Sequence, residues 1–146
     1  MSSSKHLPTR ILAAVDGSEE SMKAAGYAIE LAKTTGGKVV ALHVIQLPQY
    51  LSESVLSRLK EELTQRGQSA LAGVQSSAQK SGVEVDCRVI EKTTSVVSAL
   101  CDFASKDGAE MIVIGTRGTG GVAKLMLGSV AAGVTRSSTC PVLVVK

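Results

Sequence analysis

The sequence predicts an α/β domain built on one doubly wound, five-stranded parallel sheet in the order 3-2-1-4-5, with helices on both faces. Three observations carry that reading. Short apolar runs alternate with stretches of helical periodicity five times along the chain. No internal repeat or low-complexity linker interrupts the alternation. The first and fourth runs, "RILAAV" and "EMIVIG", are continuously apolar, as the central strands of such a sheet are. A length of 146 residues fits one domain, read as residues 10–146 behind a flexible tail of residues 1–9.

Taken in order, "RILAAV" (10–15) is the first strand, and it stops at the turn "DGSEES". Asp16 or Ser18 can cap the helix that follows, with Glu19 as a capping-box partner for Asp16. That helix places Met22, Ala25, Ile29 and Ala32 on one face and ends at Gly36-Gly37. "KVVALHVI" (38–45) is the second strand. Residues 52–80 read as a long helical stretch, with Val55, Leu59, Leu63, Ala70, Leu71, Val74 and Ala78 at helical spacing. Gly67 and Gly73 weaken it, and a mobile loop is the alternative for its first part.

"VEVDCRVIE" (83–91) alternates, with Val83, Val85, Cys87 and Val89 on one side, which is the pattern of a half-exposed edge strand. A helix from about Thr94 turns Val96, Val97, Leu100, Phe103 and Ala104 inward. "EMIVIG" (110–115) is the fourth strand, followed by a glycine-rich loop, a short helix from Ser129, and the closing strand "VLVVK" after Pro141.

The composition excludes several classes of function. Two Tyr, one Phe and no Trp leave no rings for stacking single-stranded nucleic acid. The net charge of +3 is spread along the chain without a basic block, so neither nucleic acid nor a membrane surface is an expected partner. No run approaches the ~18 apolar residues of a membrane helix. The start "MSSSKHLPTR" lacks the apolar core of a signal peptide, so the expected location is the cytoplasm. Cys87, Cys101 and Cys140 are odd in number and scattered, and read as inert thiols. His6 and His43 have no Cys or acidic partner at ligand spacing.

The stretch "GTRGTGGVAKLMLGS" (115–129) holds five glycines between a strand and a helix. Glycine in such a place serves either a positive φ or the close approach of another group to the main chain. A flexible surface connection is the plain alternative. A Walker A loop is excluded, because no Lys follows a glycine at the required spacing. "GTGGVA" (118–123) matches a dinucleotide fingerprint, yet no acidic residue follows to hold a ribose. Beyond Glu110 the chain carries Arg117, Lys124, Arg136 and Lys146 and no Asp or Glu. An acid-free segment with glycines and a helix start suits phosphate.

In a doubly wound sheet the ligand sits beyond the carboxyl ends of the strands, where "DGSEES" and the glycine loop meet. Gly115-x₂-Gly118-x₉-Gly128-Ser129 resembles the nucleotide-binding pattern of the universal stress protein family. "ILAAVDGSEES", "ALHVI" and "GSVAAGVTRSSTCPVLVVK" resemble the family's first strand and acidic turn, second strand, and closing helix and strand. The resemblance covers almost the whole chain and implies a Rossmann-like ATP-binding domain. It implies that Gly115, Thr116, Arg117 and Gly118 line ribose and phosphates. Gly128, Ser129, Val130 and Ala131 are then expected to hold the phosphate tail, and Asp16 to fix the nucleoside end. Val44 is expected against adenine, with Ala14 standing where some members carry proline. Mg²⁺ is expected to accompany the phosphates.

Each residue also has a plainer reading: a helix cap for Asp16 and Ser129, solvated charge for Arg117 and Lys124, core for Val44. His43 reads as a hydrogen-bonded core histidine rather than a catalyst. Asp16 and Glu19 are the only acids near the expected phosphates, so no base stands ready to activate water, and weak or no ATP hydrolysis is expected. The resemblance implies a nucleotide-dependent regulatory protein of the stress response. The alternatives are a slow ATP-hydrolysing or AMP-transferring enzyme, or a dimeric scaffold that binds cyclic AMP or no nucleotide. The apolar edge strand, residues 142–146, is expected to pair with the same strand of a second copy; the resemblance implies the same homodimer.

Overall fold

The computed structural model describes residues 6–92, 94–116 and 127–146. Among them the chain forms β1 (Arg10–Ala14), α1 (Glu19–Thr35), β2 (Lys38–Gln46), α2 (Glu53–Ser81) and β3 (Val85–Lys92). It continues with α3 (Val96–Asp107), β4 (Met111–Gly115), α4 (Ser129–Ser137) and β5 (Val142–Val145). All strand pairs are parallel and the order is β3-β2-β1-β4-β5. This is the predicted fold, with the two continuously apolar strands side by side at its centre. Ile11 is in register with both Val39 and Met111.

Side-chain alternation along each strand sorts the core into two layers. Ile11, Ala13, Val39, Ala41 and Val113 face α1 and α2, packing on Ala24, Ala28, Ile29, Leu71 and Val74. Leu12, Val40, Leu42, Ile112 and Ile114 face α3 and α4, packing on Leu100, Ala104, Ala131 and Val134. With almost no aromatic volume to fill, the helices lie close on small residues. A Cβ at Gly133 would stand 2.7 Å from a Val97 methyl, so glycine there lets α4 rest on α3.

Two local alternatives are decided. The first part of α2 is helix, not loop: the element runs unbroken from Glu53 to Ser81. Gly67 does not break it because its role is packing. It is buried, and a Cβ there would overlap the His43 ring, 2.8 Å from both Cγ and Nε2. The apolar side chains of the first half find little to cover them, and Val55 stays 50% exposed. The cap of α1 is Ser18, whose side chain accepts from Ser21 N (3.1 Å), with Glu19 the first helical residue rather than a capping-box partner.

The amino end of the sheet is closed by polar pairs. Arg10 grips Asp107 at the end of α3 through Nη2 (2.7 Å) and Nε (3.0 Å). Thr9 donates to Glu110 Oε1 from its backbone N (3.1 Å) and its hydroxyl (2.9 Å), and His6 Nε2 pairs with Oε2.

Candidate functional site

At the opposite end of the sheet, the carboxyl ends of β1, β2 and β4 open into a cavity of about 450 Å³. That is within the usual range for a small-molecule site. Ala14, Val15 and Asp16 border it from β1 and its turn; Val44, Ile45 and Gln46 border it from β2. Gly115 comes from β4, and Gly128, Ser129, Val130 and Ala131 come from the start of α4. Eight residues expected at a nucleotide site from sequence therefore meet around one cavity. Thr116 lies beside it as a backbone clasp, its N–H donating to Val145 O (3.0 Å) and its carbonyl accepting from Gly128 N (2.6 Å). Arg117 and Gly118, like Lys124, lie outside the described residues.

The two glycines that can be read serve different purposes. Gly115 is packed against α1: a Cβ there would lie 2.9 Å from the backbone C and O of Glu20. Gly128 is buried at the N-cap of α4, with φ −64° and ψ 158°, a conformation open to any residue. Among the described residues φ is positive at Gly17, Gly36, Gly82 and Gly108, and at no residue of the glycine-rich motif. Backbone freedom is therefore not what Gly128 supplies.

The helix starts differ in the same sense. α1 and α3 are closed by the hydroxyls of Ser18 and Ser95. α4 has glycine as its cap, no side-chain bond, and Ser129 as its first helical residue rather than its cap. Its first internal bond, Ala132 N to Gly128 O (2.9 Å), leaves the N–H groups of Ser129, Val130 and Ala131 without helical acceptors. These border the cavity, and no acid lies in the first turn of the helix. Unused donors and the positive end of a helix dipole together make an anion site.

Asp16 is not a helix cap. Its Oδ1 accepts from Ser18 N (2.9 Å) and Ser18 Oγ (2.6 Å), and its own N–H donates to Ser21 Oγ (3.2 Å). The turn after β1 is thus tied by its own hydroxyls and holds one carboxylate at the cavity edge. His43 is a hydrogen-bonded core residue, as its apolar neighbours imply: it is 9% exposed, and Nδ1 lies 2.7 Å from Val15 O.

Sequence reasoning missed the wall supplied by other helices. Leu63 and Arg66 of α2 and Val96 and Leu100 of α3 border the cavity. Arg66 is exposed and makes no ion pair among the described residues. Nothing in the local pattern of α2 distinguishes Arg66 from the other cations of that helix; only packing selects it.

Among the described residues no group of three His, Cys, Asp or Glu side chains is placed to hold a metal. No described helix is long and apolar enough to cross a membrane. The cysteines are unpaired and half-buried, and burial pushes the thiols of Cys87 and Cys101 upward, away from reactive thiolate.

Comparison with known proteins gives the family of the chain. A family model described as "Universal stress protein family" matches residues 8–146. A universal stress protein of Methanocaldococcus jannaschii is 34% identical over 145 residues, covering 97% of this chain and 84% of that protein. One from Bacillus subtilis is 31% identical over 147 residues, covering 94% and 98%. Among solved structures, the Archaeoglobus fulgidus universal stress protein in complex with dAMP superposes with a TM-score of 0.74. It is 23% identical and covers 96% of this chain and 99% of that one. An Arabidopsis thaliana family member with AMP bound gives a TM-score of 0.70 at 22% identity, covering 95% and 92%. A universal stress protein in complex with cAMP gives 0.75 at 24% identity, covering 96% and 98%.

Proposed function

Because the chain belongs to the universal stress protein family, we propose that it is an ATP-binding regulatory protein of the stress response, with weak or no hydrolytic activity. One observation carries this reading: the cavity joins the Asp16 turn to a helix start whose donors find no acceptor among the described residues and whose cap is a buried glycine with ordinary dihedrals. A glycine that needs no special φ, beside unused N–H groups, suits a phosphate drawn against the main chain. The phosphates then rest on Gly128, Ser129, Val130 and Ala131, while the nucleoside extends toward Asp16, Val44 and Ala14.

The residues present fit Mg²⁺ only as a companion of the phosphates. Asp16 is the one acid bordering the cavity among the described residues, and its Oδ1 is already engaged by Ser18. The same scarcity of acids argues for slow turnover, since no second carboxylate stands near to activate water.

Nucleotides released from the purified protein, identified by mass spectrometry, together with calorimetric titration by ATP with Mg²⁺, test the reading. Wild-type protein is expected to bind ATP and the Gly128→Val variant to lose it, because the added branch occupies the phosphate position. Equal affinity in the two proteins would overturn the placement. A second reading, a site for AMP or cyclic AMP, draws on the nucleotides bound by the structural neighbours. The same titrations with those ligands separate it from the first.

The proposal extends to a cytoplasmic homodimer. β5 is an outer strand with apolar residues at all four positions and a hydrogen-bonding edge that no described strand pairs. Pairing with the β5 edge of a second copy would cover it. Sedimentation is expected to give a dimer for wild type and monomer or aggregate for Val144→Lys. A wild-type monomer at high micromolar concentration would sink the idea.

A further inference from the structure

Buried polar atoms in folded proteins are almost always hydrogen-bonded, and an exception calls for a ligand or water. The His43 ring contains one. His43 is 9% exposed, and its Nδ1 lies 2.7 Å from the carbonyl oxygen of Val15. A carbonyl only accepts, so Nδ1 carries the proton and donates. In the neutral ring Nε2 is then left as an acceptor, and among the described residues nothing donates to it. His43 is one of the residues that border the cavity.

Gly67 makes room for that ring. A Cβ at this position of α2 would stand 2.8 Å from Nε2 and displace the ring. With no side chain at Gly67, α2 sits directly on the ring, while Leu63 and Arg66 of the same helix reach the cavity wall. The bond to Val15 orients the ring from the other side, one residue before Asp16.

From this geometry we infer that His43 contacts the ligand: Nε2 accepts a hydrogen bond from an O–H or N–H group of the nucleoside. The inference rests on the nucleotide reading of the same cavity. It also assigns polarity within it. Phosphate oxygens at neutral pH offer no donor to an acceptor nitrogen, so the His43 side of the cavity takes the nucleoside and the α4 side takes the phosphates. The donor is a ribose hydroxyl or the exocyclic amino group of adenine, and the two sources are separable.

The experiment is calorimetric titration of the full chain, wild type and His43→Asn, with Mg²⁺ and each of ATP, 2′-deoxy-ATP, 3′-deoxy-ATP and inosine triphosphate. The asparagine amide can still donate to Val15 O, but it leaves no acceptor where Nε2 stood. ATP is expected to bind His43→Asn roughly threefold to tenfold more weakly, the loss of one neutral hydrogen bond. The ligand lacking the donor should already be weakened in wild type and lose nothing further in the variant. That lack of a further loss in a deoxy nucleotide identifies the ribose, and in inosine triphosphate the amino group.

On wild-type protein, the ¹⁵N resonance of His43 Nε2 should move on saturation with ATP. That readout stands even if the variant folds poorly. Unchanged ATP affinity in a folded variant, or an unmoved Nε2 resonance, overturns the inference and leaves the nucleotide reading intact. A wild-type protein that binds none of the four ligands overturns both.

Discussion

The two ends of the sheet are made from similar polar groups and put them to opposite use. At the amino end, groups are matched within the chain: Arg10 with Asp107, and Thr9 and His6 with Glu110. Gly37 brings the chain so close to Thr9 that a Cβ there would lie 2.6 Å from its Cα. At the carboxyl end, the α4 N–H groups, Nε2 of His43 and the Arg66 charge find no such match among the described residues, and the residues that carry them border a cavity. Satisfied polar groups make an end that only holds the fold together. Unsatisfied ones, kept in place by the packing below them, make an end that can bind.

If that division is right, damage to the amino end should cost stability without touching the ligand. Gly37→Val forces a side chain into the Thr9 backbone and should destabilise the fold by about 1–3 kcal/mol in urea denaturation. ATP affinity in the folded fraction should stay at the wild-type value. A matching loss of affinity would mean that the two ends are not independent.

Gly115→Ala sharpens the contrast from the other side. The added methyl meets the Glu20 backbone at 2.9 Å, so α1 and the turn that carries Asp16 must shift. The expected stability loss is smaller, about 1–2 kcal/mol, because one methyl is added rather than a branched side chain. Here ATP affinity should fall as well, since the strain falls on the cavity wall. Calorimetry on the folded variant decides, and full affinity would show that the Asp16 turn does not report to the ligand.

The smallest effect concerns acid. The hydrogen bonds from His6 and Thr9 hold the Glu110 carboxyl down at about 2, well below its ordinary range. A folded-state value below the unfolded one means that the anchoring is complete at neutral pH. It fades as pH falls through the ordinary carboxyl range toward about 2. Amide exchange at Thr9 should therefore quicken in that window, beyond the change of an exposed reference amide, while signals from the cavity residues stay in place. Anchoring lost already near neutral pH would exclude Glu110 as its origin.

Much of this was legible in the linear chain because it depends on periodicity and spacing, which are local. The apolar runs, the alternation of β3, the glycine at the end of α1 and the distance from Gly115 to Ser129 are readable without knowing what packs on what. So is the absence of acids beyond Glu110, and with these came the fold, the strand order and eight of the residues around the cavity. The roles of single residues followed less well. Asp16 and Ser18 both suit a helix start, and only the turn geometry shows Ser18 as the cap and Asp16 tied beside it. Gly67 looks like a helix breaker until the His43 ring is seen beneath it, and Arg66 is one cation among several until α2 crosses the cavity. These are contacts between residues far apart in the chain. Their energy comes from shape and from which polar atoms are left without partners, and neither quantity exists until the layers have closed on one another.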